Sequence, residues 1–338
     1  MHLTVTPARV RLPLAAALLL LAPVSAEYVT GYDTSTGDPL ALVAGLVIFA
    51  PLYGAPALLI REAARRRGVG WPGMLALAAA FGIVQAGMID QSLFSDSYRD
   101  IEGWSGTYLS TLVGPLGFSA YYAMSFIAGH VIWSYCVPIA LVESLRPEAA
   151  GRPWLRVPGL VVAVALYAGA AALILSEHLR TERDHASAAE LAGSAVAVAL
   201  LVVYAFTLGR RRPRPRDVRV PRPLVVLVVS LVAALVFNVV PETWAGFACG
   251  LAVLAAAAAL VSILARSPRW GDRHVAALAA GALLGRCVVG FLVVPLGDVS
   301  LMAKYGHNLV FFAGAALLAY HAVARPLGAV ERDAPLDR

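Results

Sequence analysis

A few polar side chains interrupt long apolar stretches of this sequence, and their types are those that binding or proton transfer would need. The stretch FGIVQAGMIDQSLF carries Gln85, Asp90 and Gln91, while His130 lies in FIAGHVIWSYCVP and Arg286 lies in GALLGRCVVGFLVVP. An ionisable group at the centre of a membrane helix costs roughly 2.5 to 3.5 kcal/mol, so such residues are functional candidates. These five residues form the candidate intramembrane polar site, and the sequence assigns no catalytic residue.

The charged members of this set suggest two kinds of chemistry. An imidazole near the middle of a membrane helix suits proton relay or metal ligation, because it changes charge near neutral pH; a neutral His130 with one hydrogen bond fits the sequence equally well. Arg286 keeps its proton, so it needs a carboxylate, a group of carbonyls, water or an anionic ligand. The candidate partners are Asp90, Glu27, Asp298 and Glu242.

Gln85 and Asp90 are five residues apart, which on an α-helix places them about 140° apart around the axis. One ligand would not easily contact both side chains from a single helix. Because Gly82 and Gly87 allow close helix approach, an interhelical hydrogen bond is the favoured role for Gln85, and a functional cavity is the alternative.

A second group of charges lies where two apolar stretches end. Arg61 and Glu62 occur in LIREAARRRG, and Glu143 occurs at the same level in ALVESLRP. These three residues form a candidate inner-interface network. Ordinary interfacial pairing, worth under about 1 kcal/mol for each pair, is the favoured interpretation.

The composition explains which elements must position these residues. The chain is 59% hydrophobic and 14% charged, whereas soluble domains are about 25% charged. Continuous apolar runs of about 20 residues predict membrane-spanning helices and exclude a barrel. The predicted spans are Leu12–Ala26, Pro39–Ile60, Trp71–Phe94, Ser119–Leu145, Val157–Ser176, Ala188–Leu208, Pro223–Val240, Thr243–Ala265, His274–Pro295 and Leu301–Ala324. The predicted fold is an all-α integral membrane protein, a bundle of about ten transmembrane helices.

The basic residues predict the orientation of this bundle. Most of the 27 Lys and Arg residues fall in alternate connectors, which predicts a cytoplasmic N-terminus and C-terminus in a bacterial-type cytoplasmic membrane. Arg9 and Arg11, the apolar run after them and the VSA before Glu27 also fit a secretory signal peptide, whose cleavage would leave nine helices.

The linker GRRRPRPRDVRVPRP divides the chain, because alternating proline and arginine favour an extended segment. We expect an N-terminal membrane bundle of six spans over residues 1–208, the linker at 209–223, and a C-terminal bundle of four spans with a cytoplasmic tail over 224–338. The expected partners are the lipid bilayer and anionic headgroups at the cytoplasmic loops. A homo-oligomer or a membrane partner stays open, and the small-molecule ligand is unknown.

The net charge of +6 is explained by the loop arginines and does not indicate nucleic-acid binding. The three cysteines, Cys136, Cys249 and Cys287, lie inside apolar spans without paired spacing, so packing is their expected role. No metal site and no cofactor are predicted.

Together with Gln85, the segment FIAGH at Phe126–His130 faintly resembles the Abi, or CAAX-processing, intramembrane proteases. That family has an EExxxR motif, then FxxxH, then a further histidine motif. The resemblance covers Ala79–Leu141, but Gln85 and Ala86 stand where the glutamate pair would fall, and neither the arginine nor the later histidine is present. The resemblance therefore implies a relative without the family's base. The stretch PLYGAPALLIREAARRRGVGWPG resembles a pattern in uncharacterised bacterial multi-pass membrane proteins.

The sequence favours a transporter or permease-like protein with a polar intramembrane cavity in its first half, lined by Gln85, His130 and nearby tyrosines. One alternative is a non-catalytic membrane scaffold or partner subunit, and the other is an intramembrane enzyme that is a degenerate CAAX-protease relative. The chain has no HExxH, no phosphate-binding glycine loop and no GxSxG. An ATP-driven or soluble-type hydrolytic mechanism is therefore not supported.

Overall fold

Ten helices of at least 16 residues make up the part of the chain that the structure describes. The computed structural model describes residues 7–211 and 214–324. The helices are α1 (Ala8–Tyr28), α2 (Pro39–Arg67), α3 (Trp71–Ile89), α4 (Ala120–Leu145), α5 (Val157–Thr181), α6 (Ala188–Arg210), α7 (Pro223–Asn238), α8 (Trp244–Leu264), α9 (Asp272–Gly290) and α10 (Leu301–Ala324). Nine are long and apolar enough to cross a membrane, and α7 is a shorter apolar helix of 16 residues. The prediction of an all-α multi-pass membrane protein is confirmed.

The bundle has two buried apolar clusters, and α4 contributes to both. One cluster is built from α1, α2, α3, α5 and α6, and it includes Tyr135 and Ile139 of α4. The other is built mainly from α7, α9 and α10, and it includes Met124 and Trp133 of α4. Because α4 lies between the two clusters, side chains from both halves of the chain meet along it. The predicted division at residues 209–223 stays a prediction.

Helices α7 and α9 pack closely through two glycines of α9. A Cβ atom on Gly281 would lie 2.2 Å from the carbonyl oxygen of Leu227, and one on Gly285 would lie 2.8 Å from the Cβ of Ala234. The spacing of these glycines is the GxxxG pattern, which lets membrane helices approach each other closely. This close contact fixes the position of α9, and with it the position of Arg286, against the end of α7.

Short elements fill the connector between α3 and α4. They include a helix at Trp104–Ser110 and a two-stranded hairpin, in which β1 (Leu112–Val113) pairs antiparallel with β2 (Phe118–Ser119). The Ser110 hydroxyl donates to the carbonyl oxygen of Glu242 at 2.7 Å, so this connector contacts the one between α7 and α8.

The third predicted span extends too far. Helix α3 ends at Ile89 and not at Phe94, and Gln91 has a positive φ of 53° where the chain turns. The Asp90 carboxylate accepts from the Ser92 amide at 3.0 Å and stabilises that turn. Asp90 and Gln91 therefore lie just beyond the helix rather than inside it.

Four π-helical turns occur in the first four helices of the bundle. They are Val24–Tyr28 in α1, Ala50–Gly54 in α2, Val84–Ile89 in α3 and His130–Cys136 in α4. Three of them contain or lie close to a proline: Pro23 directly precedes the first, Pro51 lies inside the second, and Pro138 follows the last by two residues. Proline removes a backbone donor and crowds the preceding turn, and local π widening restores the hydrogen bonding that a membrane helix needs. Such turns often occur at functional sites.

Two ends of the bundle differ in charge. The end that carries residues 61–70, 146–156, 211, 214–222 and 265–271 is called here the arginine-rich face, and the other end is called the opposite face. Contacts join these connectors: Arg61 donates to the carbonyl of Arg152, and the amide of Arg216 donates to the carbonyl of Arg266.

Candidate functional site

Glu27, in the π-helical turn of α1, accepts hydrogen bonds from two tyrosines. The hydroxyl of Tyr32 donates to Glu27 Oε2, and the hydroxyl of Tyr53 in α2 also bonds this carboxylate. Tyr32 lies in the connector after α1, where burial, reinforced by the nearby negative charge of Glu27, raises the pKa of its hydroxyl well above its usual value. The Tyr32 hydroxyl therefore stays protonated and acts as a donor to Glu27.

Gln85 and Asp90 are hydrogen-bonded to each other, contrary to the expectation from α-helical geometry. Gln85 Nε2 donates to Asp90 Oδ2 at 3.2 Å. The π-helical turn is the reason, because its backbone bonds join residues five apart, and the amide of Asp90 donates to the carbonyl of Gln85 at 3.0 Å. Gln85 is buried and its Oε1 has no partner. Beyond the end of α3, burial raises the pKa of the Asp90 carboxyl.

His130 begins the π-helical turn of α4 and lies between aromatic rings. Its ring centroid is 6.0 Å from that of Tyr53 and 6.1 Å from that of Tyr135, with both pairs stacked. Its Nδ1 is 3.2 Å from the hydroxyl oxygen of Ser134, whereas Nε2 bonds to no residue within the described ranges. The ring is close to α3, since a Cβ atom on Gly82 would lie 3.0 Å from the Cβ of His130.

Arg286 has an amide, and not a carboxylate, as its direct partner. Its Nη1 donates to the side-chain oxygen of Asn238 at the end of α7, and the guanidinium lies 4.8 Å from the centroid of the Trp133 ring. Trp133 is held in turn by a 3.1 Å bond to the carbonyl of Ala282. Glu27 is near enough for an electrostatic interaction with Arg286.

Among the predicted partners of Arg286, only Glu27 is close, and no carboxylate of residues 7–211 and 214–324 forms an ion pair with this arginine. Asn238, the residue that accepts the hydrogen bond, was not among the predicted partners of Arg286, because it lies 48 positions away in the chain.

Four charged or titratable side chains around Tyr53 are only half-buried, although they lie among helices. They are Glu27, Asp90, His130 and Arg286. Tyr53 connects three of them, because it bonds Glu27, stacks on His130 and interacts electrostatically with Asp90. We call the set Glu27, Tyr53, Asp90, His130 and Arg286 the polar crevice.

The polar crevice explains which predicted site residues come together. Gln85, Asp90, His130 and Arg286 are linked through Tyr53 and Glu27. Gln91 is not part of it: its Oε1 accepts from the amide of Ala186 at 2.6 Å and ties the turn after α3 to the connector before α6.

Sequence reasoning missed Tyr32, Tyr53 and Asn238 as members or neighbours of the site. A signal for Tyr53 was present, since a tyrosine between Pro51 and Gly54 inside an apolar run places a polar hydroxyl where a proline disturbs the helix. Tyr32 and Asn238 carry no comparable signal, because only the folded chain brings them near Glu27 and Arg286.

Arg61, Glu62 and Glu143 form a buried network at the arginine-rich face. Arg61 Nη1 is 2.8 Å from Glu62 Oε1, and Arg61 Nε is 3.1 Å from Glu143 Oε1; the side chains of Arg61 and Glu62 are both 0% exposed. Arg65 forms two bonds to Glu143, at 2.8 and 2.6 Å, and Arg66 bonds Glu62 at 3.1 Å. The expectation of weak, exposed interfacial pairs is wrong for these residues.

Burial results from the connector between α4 and α5, which folds over the charges. Arg61 Nη2 donates to the carbonyls of Ala150 and Arg152 at 2.7 and 2.8 Å, and its guanidinium lies 3.3 Å from the centroid of the Trp154 ring. The amide of Trp154 donates to Glu62 at 2.6 Å. Every nitrogen of the Arg61 guanidinium has a hydrogen-bond partner, so Arg61 has no free nitrogen for a ligand.

A cavity of about 260 Å³ adjoins this network, between the ends of α2 and α4 and the starts of α3 and α9. Arg65, Trp71, Glu143, Ser144 and Asp272 supply its polar and aromatic lining. In residues 7–211 and 214–324, no three His, Cys, Asp or Glu side chains come together in a way that would hold a metal ion.

The helical bundle and its half-buried polar crevice define a polytopic α-helical membrane protein, whose apolar helices contact the lipid bilayer. A family model described as an uncharacterized membrane protein family matches residues 16–330, and the chain belongs to this family. No curated protein and no solved structure matches the chain.

Proposed function

We propose that the protein is a permease-like transporter that binds a small polar solute in the polar crevice. The observation that carries the proposal is the position of the π-helical turns: those of α1, α2 and α4 contribute Glu27, Tyr53 and His130, and that of α3 ends next to Asp90. Ionisable residues inside membrane spans usually face the bundle interior or a water-filled cavity and mark solute or ion pathways.

His130 is suited to couple solute movement to a proton. Its Nδ1 is beside Ser134 and its Nε2 is without a described partner, so one ring nitrogen is available to a solute or to water. An imidazole takes up and releases a proton near neutral pH. Glu27 and Asp90 supply two carboxylates in the same region, one bonded by the Tyr53 hydroxyl and the other interacting electrostatically with it.

The proposed orientation places the arginine-rich face in the cytoplasm of a bacterial-type cell, because basic connectors are retained inside. The crevice residues lie toward the opposite face: Glu27 is near the end of α1, and Asp90 follows the end of α3. The solute would therefore enter from outside, while the buried Arg61 network closes the inner end. Anionic headgroups would contact the cytoplasmic connectors, and a homo-oligomer or a membrane partner remains compatible with this arrangement.

Transport is tested with the full chain reconstituted in liposomes that contain a pH-sensitive dye. Amino acids, sugars and organic acids are applied singly, and proton entry is followed for each. We expect solute-dependent proton flux that His130→Ala abolishes. The matched control is His185→Ala, which changes an exposed histidine in the connector before α6.

Two results would contradict the proposal: no solute-dependent flux with any compound, or flux that His130→Ala leaves unchanged. In the first case, the scaffold alternative would explain the polar residues as interhelical contacts. That alternative expects Gln85→Leu and Arg286→Leu to change folding yield alone.

A further inference from the structure

Arg286 has donor groups that the protein does not use. Its Nη1 donates to Asn238, but its Nε is buried and has no hydrogen-bond partner. A guanidinium carries five N–H donors and does not lose its charge in a protein. A buried charge without a counter-charge is strongly unfavourable, and unsatisfied buried donors in native structures require an explanation.

The carboxylate close to Arg286, that of Glu27, already has other hydrogen-bond partners. Glu27 interacts with Arg286 electrostatically, but no ion pair joins them, and the Glu27 carboxylate is instead bonded by Tyr32 and Tyr53. These two hydroxyls hold Glu27 on the side of α1 and α2. The guanidinium therefore keeps, within the polar crevice, an edge whose N–H donors are free to bind a ligand.

The surroundings hold this edge in a fixed direction. Asn238 accepts from one end of the guanidinium, and the Trp133 ring lies 4.8 Å away. Trp133 is itself bonded to the backbone of α9 at 3.1 Å. An arginine fixed in this way presents two parallel N–H groups, which match the two oxygens of a carboxylate.

We propose that Arg286 binds the carboxylate of a solute that carries a single negative charge. The Glu27 carboxylate, which interacts electrostatically with Arg286, disfavours a ligand with two negative charges, such as a phosphate monoester. The inference rests on the polar crevice as a ligand site and names its ligand class. It covers water-soluble monocarboxylates and membrane-borne fatty acids, which share the group that Arg286 recognises.

Binding is measured by the thermal unfolding of the full chain in lipid nanodiscs. The probes are lactate and octanoate, each paired with its neutral amide, and oleate added to the nanodisc lipid. We expect at least one carboxylate to raise the unfolding temperature with a saturable dose dependence, while its amide has no effect. A response to lactate or octanoate indicates a soluble ligand, and a response to oleate alone indicates a lipid-borne one.

Variants then locate the site. We expect Arg286→Gln to weaken binding by about 10- to 100-fold, the loss of a charge-assisted hydrogen bond, and Arg286→Lys to weaken it less. The matched control Arg183→Gln removes an exposed positive charge from the connector before α6 and leaves binding unchanged.

The inference is overturned when no carboxylate stabilises the protein, when amides stabilise it equally, or when Arg286→Gln binds a carboxylate as tightly as the parent. The comparison of acids with amides uses the unmodified protein, so it decides the matter even when a variant fails to fold. Proton-coupled flux of cations or sugars that Arg286→Gln does not change would overturn this inference and leave the proposed transport intact.

Discussion

Replacing Arg61 with methionine is expected to destabilise the bundle by about 3 kcal/mol. Breaking a buried ion pair by removing one partner costs about 3 to 5 kcal/mol, because the remaining charge stays buried. The low end applies here, since each carboxylate keeps another arginine: Glu62 retains Arg66 and Glu143 retains Arg65. Methionine matches the length of the apolar part of the side chain, so the charge and its donors are the main change.

The remaining loss of stability comes from the connector between α4 and α5. Without Arg61, the carbonyls of Ala150 and Arg152 lose donors at 2.7 and 2.8 Å, and Trp154 loses the guanidinium over its ring. Hydrogen bonds to charged groups contribute about 1.5 to 3 kcal/mol each, although water reaches part of this connector and reduces that amount. Arg61→Lys keeps the charge but not the planar fork, so we expect an intermediate loss.

The assay is equilibrium unfolding in mixed detergent micelles, with the free energy of unfolding compared between variants. Arg67→Met is the matched control, because Arg67 is exposed on the last turn of the same helix. We expect this control to change the free energy by less than about 0.5 kcal/mol. Equal effects of Arg61→Met and Arg67→Met would refute the reasoning, since burial would then have no energetic consequence.

Two further predictions concern the loops and the helix packing. A hydrogen bond to Asp184 raises the pKa of the Asp96 carboxyl. The protonated carboxyl therefore stabilises the folded protein fully below the pKa that Asp96 has in the unfolded chain, and this stabilisation is lost as the pH rises through its pKa in the folded protein. Asp96→Asn keeps a donor to Asp184 at every pH and is expected to remove this loss of stability, which is under about 1 kcal/mol for such exposed groups. Thermal unfolding of both proteins from about pH 4 to about pH 7 measures the loss. A variant with the same pH profile as the parent would contradict the prediction. Gly281→Leu is expected to lower the free energy of unfolding by about 1 to 3 kcal/mol, because its Cβ would meet the carbonyl oxygen of Leu227 at 2.2 Å. The control Gly106→Leu, where a Cβ meets open space, should leave the free energy of unfolding unchanged.

The sequence predicted the helices well because hydrocarbon imposes length and composition directly on each span. The predicted last span, Leu301–Ala324, begins at the residue where α10 begins. The third span extended beyond α3 because Leu93 and Phe94 continue the apolar run. The positive φ at Gln91, which ends the helix, leaves no trace in hydropathy.

The candidate site was harder to predict, because it depends on departures from α-helical geometry. The angle of about 140° between Gln85 and Asp90 is correct for an α-helix, but the π-helical turn brings their side chains within 3.2 Å. Likewise, the burial of Arg61 depends on Trp154, 93 residues later in the chain, whose connector folds back over it. Periodicity describes one helix at a time, whereas these contacts arise between segments.

The two polar groups of the protein differ in how completely they are satisfied, and this difference supports assigning them different roles. Arg61 has partners for each guanidinium nitrogen and is 0% exposed. Within the described residues, Nε of Arg286 has no hydrogen-bond partner, and neither has Oε1 of Gln85, which joins the crevice through its bond to Asp90. A fully bonded buried network makes one conformation rigid, while a partly bonded one is costly unless another group completes it. Under the proposed function, the Arg61 network closes the arginine-rich face, and the unpaired groups of the crevice bind the solute that Arg286 recognises.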